Sequence, residues 1–139
     1  MTRLHQATGI DIGGRGILIE GPPGSGKTSL ALALIDRGAT LIGDDGVTIE
    51  VADGRLFASP PPATSGLLEV RNVGIITRTV AQRIPIALVL RFDREAPRHV
   101  EAAEPYAILG CTLPLIRLYP DSPVLALRAE LALSWHGIA

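Results

Sequence analysis

Eight residues, Gly21-Pro22-Pro23-Gly24-Ser25-Gly26-Lys27-Thr28, constrain this chain more than any other stretch. They fit G-x-x-x-x-G-K-[ST], the pattern of a phosphate-binding loop. The flanks agree with it. Ile17-Leu18-Ile19 reads as a short buried strand, and Ser29 to Arg37, rich in Leu and Ala, reads as a helix. Glycines let the backbone fold tightly enough to aim successive N–H groups at phosphate oxygens. The helix N-terminus adds partial positive charge. The residue types assign Lys27 to the β- and γ-phosphates and the Thr28 hydroxyl to Mg²⁺.

The bulk numbers set the frame for such a loop. With 139 residues, 47% hydrophobic and 19% charged, the sequence predicts one folded domain spanning residues 1–139. A net charge of −1 gives no basic excess, and only 4% of residues are aromatic, so neither nucleic acid nor an anionic membrane is an expected partner. The single cysteine, Cys111, cannot form an internal disulfide, which fits a cytoplasmic protein. No apolar run approaches the ~20 residues of a membrane span. The N-terminus, with Arg3, His5 and Gln6, lacks the apolar core of a signal peptide.

Along the chain, Gln6 to Ile12 reads as extended and returns through Gly13-Gly14-Arg15-Gly16 as a hairpin into the loop strand. The helix after the loop stops at Gly38, a residue suited to the left-handed C′ position. Ala39 to Ile42 is a short strand closed by Gly43-Asp44-Asp45-Gly46. Val47 to Val51 and Arg55 to Ala58 form a hairpin about Asp53-Gly54. Ser59 to Gly66, with three prolines, is a loop, and Leu67 to Thr77 is mainly extended. Ile84 to Phe92, the longest apolar run, is a central strand with Pro85 near its start. Asp93 to Pro105 is a surface segment, and Leu113 to Leu118 is one more strand. Ser122-Pro123 opens a last helix, with Ser as N-cap and Leu125, Leu127, Leu131 and Leu133 as its apolar surface. Many strands and few helices predict a mixed-sheet α/β domain rather than a regularly alternating one.

Several polar residues have the chemistry for phosphoryl work. Asp44 and Asp45 follow a strand at the edge where the loop sits. If extended, their side chains point in opposite directions, so one carboxylate can face the phosphates. Such a carboxylate holds Mg²⁺ or accepts a hydroxyl proton; Asp-Asp-Gly is equally an ordinary turn. Glu69 and Arg71 share a strand face, where Glu suits a metal and Arg a phosphate, although a surface ion pair is the commoner use of that spacing. His5 suits a proton shuttle, yet a histidine near a terminus is more often simply exposed. Arg91, Arg94 and Arg98 form a basic stretch that charge patterning reads as a solvated loop. No Cys/His spacing suggests zinc and no Ser-centred elbow suggests a hydrolase.

Together these elements resemble the catalytic domain of the HPr kinase/phosphorylase family. That family carries the phosphate loop, an R-G at the helix end, an A-D-D triplet and an E-x-R-G-x-G-I-I signature. The matching residues here are Gly21 to Thr28, Arg37-Gly38, Gly43-Asp44-Asp45 and Glu69-Val70-Arg71-Asn72-Val73-Gly74-Ile75-Ile76. The likeness is greatest to the short α-proteobacterial type, which lacks the N-terminal domain of longer members. The resemblance implies a mixed sheet like that of phosphoenolpyruvate carboxykinase and ATP- and Mg²⁺-dependent phosphorylation of a serine on the phosphocarrier protein HPr. In many members it also implies the reverse reaction, in which phosphate attacks phosphoserine and yields pyrophosphate. It assigns phosphate binding to Lys27, Mg²⁺ to Thr28 and Glu69, and the proton-accepting role to Asp45. It matches His5 to the family's histidine and Arg98 to its later arginine, with Arg94 as the other candidate. Asp44, the triplet's other carboxylate, joins the metal set. Asn72 stands where the signature has glycine, Ser29 where Glu or Asp usually follows the loop, and His5 sits one residue further from the loop than the family spacing. A regulatory module that senses nucleotide or phosphate without transferring phosphoryl, or a kinase with another acceptor, is the alternative. Homo-oligomer formation is left open.

Overall fold

A computed structural model describes residues 2–139. Its main sheet holds nine strands, and a separate two-stranded hairpin stands beside it. In chain order the first strands are β1 (Thr2–His5), β2 (Thr8–Ile12) and β3 (Arg15–Glu20), followed by helix α1 (Lys27–Asp36). Then come β4 (Thr40–Gly43), β5 (Val47–Ala52), β6 (Arg55–Ser59), β7 (Leu67–Val70), β8 (Gly74–Thr77) and β9 (Ile84–Phe92). The chain closes with β10 (Glu104–Ile108), β11 (Cys111–Leu118) and helix α2 (Leu125–His136). The sheet runs β1-β5-β6-β9-β3-β2-β4, with β11 on β9 and β10 on β11. β9 pairs parallel with both β3 and β11, while β6 pairs antiparallel with its first residues.

The sheet is buried on both faces, and strand alternation divides the core accordingly. Ile17 and Ile19 of β3 pack with Leu30 and Leu34 of α1, and with Ala129 and Leu133 of α2. Leu18 points the other way, into a second cluster with Val47, Ile49, Leu56 and Leu113. Burial on both faces is why β9 reads as a near-continuous apolar run. Neither helix is long and apolar enough to cross a membrane.

The structure departs from the sequence-based expectations in several places. Thr2–His5 form a strand, β1, antiparallel to β5. Leu67 to Thr77 is not one extended stretch but the β7–β8 hairpin, reversed at Arg71–Val73. There Asn72 has φ of +69°. Glycine adopts that left-handed backbone freely, and Asn is among the few other residues that tolerate it. The segment from Asp93 ends earlier than expected, because Glu104 already begins β10. Ser122 does not cap α2. Its Oγ accepts from the N–H of Val124, the residue directly before the helix, and the helix begins at Leu125 without a side-chain cap. Leu125 and Leu133 are buried as expected, whereas Leu127 and Leu131 face solvent.

Candidate functional site

β3 delivers the chain to Gly21 in the middle of the sheet, and the loop turns there into α1. Gly26, at φ +106°, occupies the N-cap position, so no side chain caps the helix, and its first turn holds no acidic residue. The helix N–H groups are therefore left for an external anion. A Cβ on Gly21 would meet Ser25 Oγ at 2.7 Å and Phe92 Cβ at 3.3 Å, so a side chain there would have to displace Ser25.

Lys27 lies across the loop with its side chain only 8% exposed. Nζ donates to the carbonyls of Gly21 (2.7 Å) and Pro22 (3.2 Å) and lies 3.6 Å from Asp45 Oδ1. An ammonium has three protons. Two hold the loop in shape, and the third is free for the space between loop and Asp45.

The expected extended segment is absent: a bend separates the two aspartates, and both line the same cleft with different partners. Asp44 Oδ1 accepts from Thr28 Oγ1 at 2.9 Å and from Thr8 Oγ1 at 3.4 Å, and its Oδ2 accepts from the Glu69 N–H at 3.4 Å. Asp45 is 60% exposed and has φ of +60°. Its N–H donates to Thr8 Oγ1 at 3.1 Å, which holds this left-handed residue in place. Gly43 makes the bend possible, because a Cβ there would collide with the Gly46 carbonyl.

These groups open onto one cleft of about 920 Å³. The loop, Asp44 and Asp45 form one wall, and the β7–β8 hairpin, with Glu69, Arg71 and Asn72, forms the other. Among the described residues Glu69 and Arg71 form no ion pair with each other. Arg71 leans instead toward the loop, with Nη2 3.7 Å from the Cβ position of Gly24. The oxygen donors that could hold a cation are Thr28 Oγ1 and the Asp44 and Glu69 carboxylates. Among the described residues no group of three or more His, Cys, Asp or Glu side chains could hold a metal ion by itself.

His5 and Arg98 stand apart from the cleft lining. Arg98 is exposed on the segment between β9 and β10, and Arg94 pairs with Asp121 at 2.6 Å. His5 Nε2 bonds Glu20 Oε2 at 2.9 Å, while Arg91 Nη2 donates to Glu20 Oε1 at 2.7 Å and stacks over Tyr106. Burial raises the Glu20 carboxyl, but the hydrogen bonds from His5 and Arg91 outweigh it and hold the group below its ordinary value. This pairing gives stability that is complete above the unfolded carboxyl's pKa of about 4.3 and is lost as pH falls through the lower folded value. We expect Glu20→Gln to lower the urea midpoint at pH 7 and the gap from wild type to shrink below pH ~4. A gap that is the same at every pH would remove the ionic account.

Thr8 and Glu20 escaped the sequence reading. The signal for Glu20 was a lone charge ending an apolar strand just before Gly21. For Thr8 it was a hydroxyl between Ala7 and Gly9 in a strand otherwise suited to burial.

Fold and site define a class: a mixed-sheet α/β domain that carries a glycine loop between strand and helix, with paired carboxylates beside it. The profile of the HPr Serine kinase C-terminal domain matches residues 1–95, and the chain belongs to that family. It is 46% identical over 99 residues to an HPr kinase/phosphorylase of Clostridium botulinum, covering 66% of this chain and 32% of that protein. It is 52% identical over 75 residues to the Clostridium tetani protein of the same name, covering 54% and 24%. The chain thus spans about a third or less of these curated relatives. The solved Hpr(Ser) kinase/phosphatase of Coxiella burnetii superposes with a TM-score of 0.84 at 26% identity, covering 95% of this chain and 88% of that one. The fold is therefore that of the HPr kinase family.

Proposed function

We propose that this protein is an ATP- and Mg²⁺-dependent kinase that phosphorylates a serine of HPr. The observation that carries the reading is Asp45: an exposed carboxylate in a left-handed backbone, 3.6 Å from the loop lysine. A module that only sensed nucleotide would have no use for a base there.

In this reading the loop N–H groups and Lys27 bind the β- and γ-phosphates. Asp45 takes the proton of the serine hydroxyl as its oxygen bonds to the γ-phosphorus, and the bond from that phosphorus to the β–γ bridging oxygen breaks. Lys27 and the helix N-terminus stabilise the charge that develops on the leaving diphosphate. In the phosphorolysis direction inorganic phosphate, in place of ADP, bonds to the phosphoserine phosphorus, the bond from that phosphorus to the serine oxygen breaks, and Asp45 gives this oxygen its proton, leaving serine and pyrophosphate. Thr28, Asp44 and Glu69 would hold Mg²⁺, an oxygen-only set that suits a hard cation whose other ligands are water and phosphate oxygens. The metal supplies charge neutralisation on the phosphates. Arg71, without an ion pair among the described residues and leaning toward Gly24, fits a phosphate contact. Arg98 reaches the transferring group only if the segment between β9 and β10 moves, and His5 acts through Glu20 rather than on substrate.

The test is incubation with labelled ATP, Mg²⁺ and purified HPr, followed by mapping of the label. One labelled serine on HPr is expected. ATP binding without transfer to HPr would leave the sensing module, or a kinase with another acceptor, as the better reading.

A further inference from the structure

Helix α2 buries one face and leaves another bare. Leu125, Ala129, Ala132 and Leu133 pack into the core that α2 shares with the sheet and α1. Glu130, bound through both carboxylate oxygens to Arg37, ties the helix to the end of α1. On the far side Leu127, Leu131 and Trp135 follow one another at every fourth residue and form a single ridge about 12 Å long. Leu131 is 60% exposed and Trp135 80%, and Val124 at the N-cap is bare as well. None of these side chains lines the cleft, so phosphoryl chemistry does not account for them. A ridge of large apolar side chains held in water calls for an occupant.

We infer that this ridge is the docking surface for a second copy of the chain, which lays its own α2 antiparallel across it about a two-fold axis near Leu131. The order of the side chains fits that symmetry. Leu127 and Trp135 stand equally far from Leu131 along the helix, so the axis turns the Leu127 end of each copy toward the Trp135 end of the other. The smaller side chain thereby meets the larger one twice, as a self-complementary interface requires.

Charge selects the antiparallel direction. Arg128 borders the ridge, is exposed, and lies in the first turn of α2, which holds no acidic residue. Its own helix dipole is positive there. In the antiparallel pair each Arg128 lies instead toward the last turn of the partner's helix, where free carbonyls favour a cation. A parallel pair would gather both arginines and both positive helix ends at one end of the interface. The net charge of −1 leaves little repulsion between copies. The ridge exposes on the order of 400 Å² of side chain. Two copies with their flanks bury roughly 1,000 Å², the low end of specific interfaces, so the pair should form at micromolar concentration.

The test is sedimentation velocity of the full chain at pH 8 from about 1 to 300 µM. The weight-average mass should climb from the 14.6 kDa of one chain toward twice that value. Trp135 is the only tryptophan, so its emission should shift to the blue over the same range as the indole leaves water. Leu131→Lys sets two like charges together at the axis and should weaken association at least about tenfold. Trp135→Ser should act in the same direction, and unchanged urea midpoints would show both variants folded. On oxidation Leu131→Cys should give a disulfide-linked dimer. Leu127→Cys should not, because its two copies would stand about 12 Å apart along the helices. Wild type, whose Cys111 is buried, serves as the unlinked control. A chain that stays monomeric throughout would overturn the inference. So would association that Leu131→Lys and Trp135→Ser both leave unchanged, which would place the contact on another surface. Cross-linking of Leu127→Cys as ready as that of Leu131→Cys would overturn the antiparallel arrangement.

Discussion

Asp45→Asn is expected to lower kcat for phosphoryl transfer to HPr by about 10³-fold while ATP affinity stays within a few-fold. The substitution suits the question because Asn is isosteric with Asp and tolerates the left-handed backbone that Asp45 adopts at φ +60°. The bond from its N–H to Thr8 Oγ1 is retained, so the bend should keep its shape. What is lost is the ability to take a proton from a hydroxyl. Single-turnover kinetics with HPr in excess, beside calorimetric ATP binding, give the two readouts. Near-wild-type transfer by this variant would leave Asp45 as a positioning group only.

Lys27→Ala should act on the other side of that division. Its Nζ holds the Gly21 and Pro22 carbonyls and keeps one proton for the ligand, so its removal both loosens the loop and deletes a charge. Pyrophosphate and ATP affinity should fall by about 10²-fold or more, in line with the loss of a central charged donor. Arg should not rescue it, because a planar guanidinium does not fit an 8%-exposed site shaped for a compact ammonium. Pyrophosphate binding within threefold of wild type would remove Lys27 from the phosphate contact.

The parts of this protein that were legible in the sequence are those whose signal is local. The loop needs its glycines, α1 stops at Gly38 with φ of +107°, and Asp53-Gly54 turns β5 into β6 with both residues at positive φ. The missed strands are edge strands. β1 carries Thr, Arg, Leu and His and exposes most of them, so no apolar alternation marks it. β10 contains Pro105 and a charge, which an edge strand accommodates because only one side must pair. The hairpin β7–β8 was hidden because its reversal depends on one left-handed Asn72.

At the site, sequence placed Asp44 and Asp45 at the correct edge, but which one meets Thr28 depends on a bend built by Gly43 and braced by Thr8. The Glu20 cluster draws on His5 of β1, Arg91 of β9 and Tyr106 of β10, the last alone 86 positions from Glu20, and no window along the chain contains it.

The Asp44 carboxylate is where α1, β2 and β7 meet, through Thr28, Thr8 and the Glu69 backbone. It sits in the bend between β4 and β5, so four parts of the chain share two oxygen atoms. Energies measured at such a junction do not add. Removing the Thr8 hydroxyl leaves Asp44 Oδ1 to Thr28 alone, which changes the strength of that bond, and it also releases the Asp45 N–H. Single substitutions would therefore each charge part of the same loss to a different residue. Only a cycle over Thr8, Thr28 and Asp44 together can divide the energy of this corner among its members.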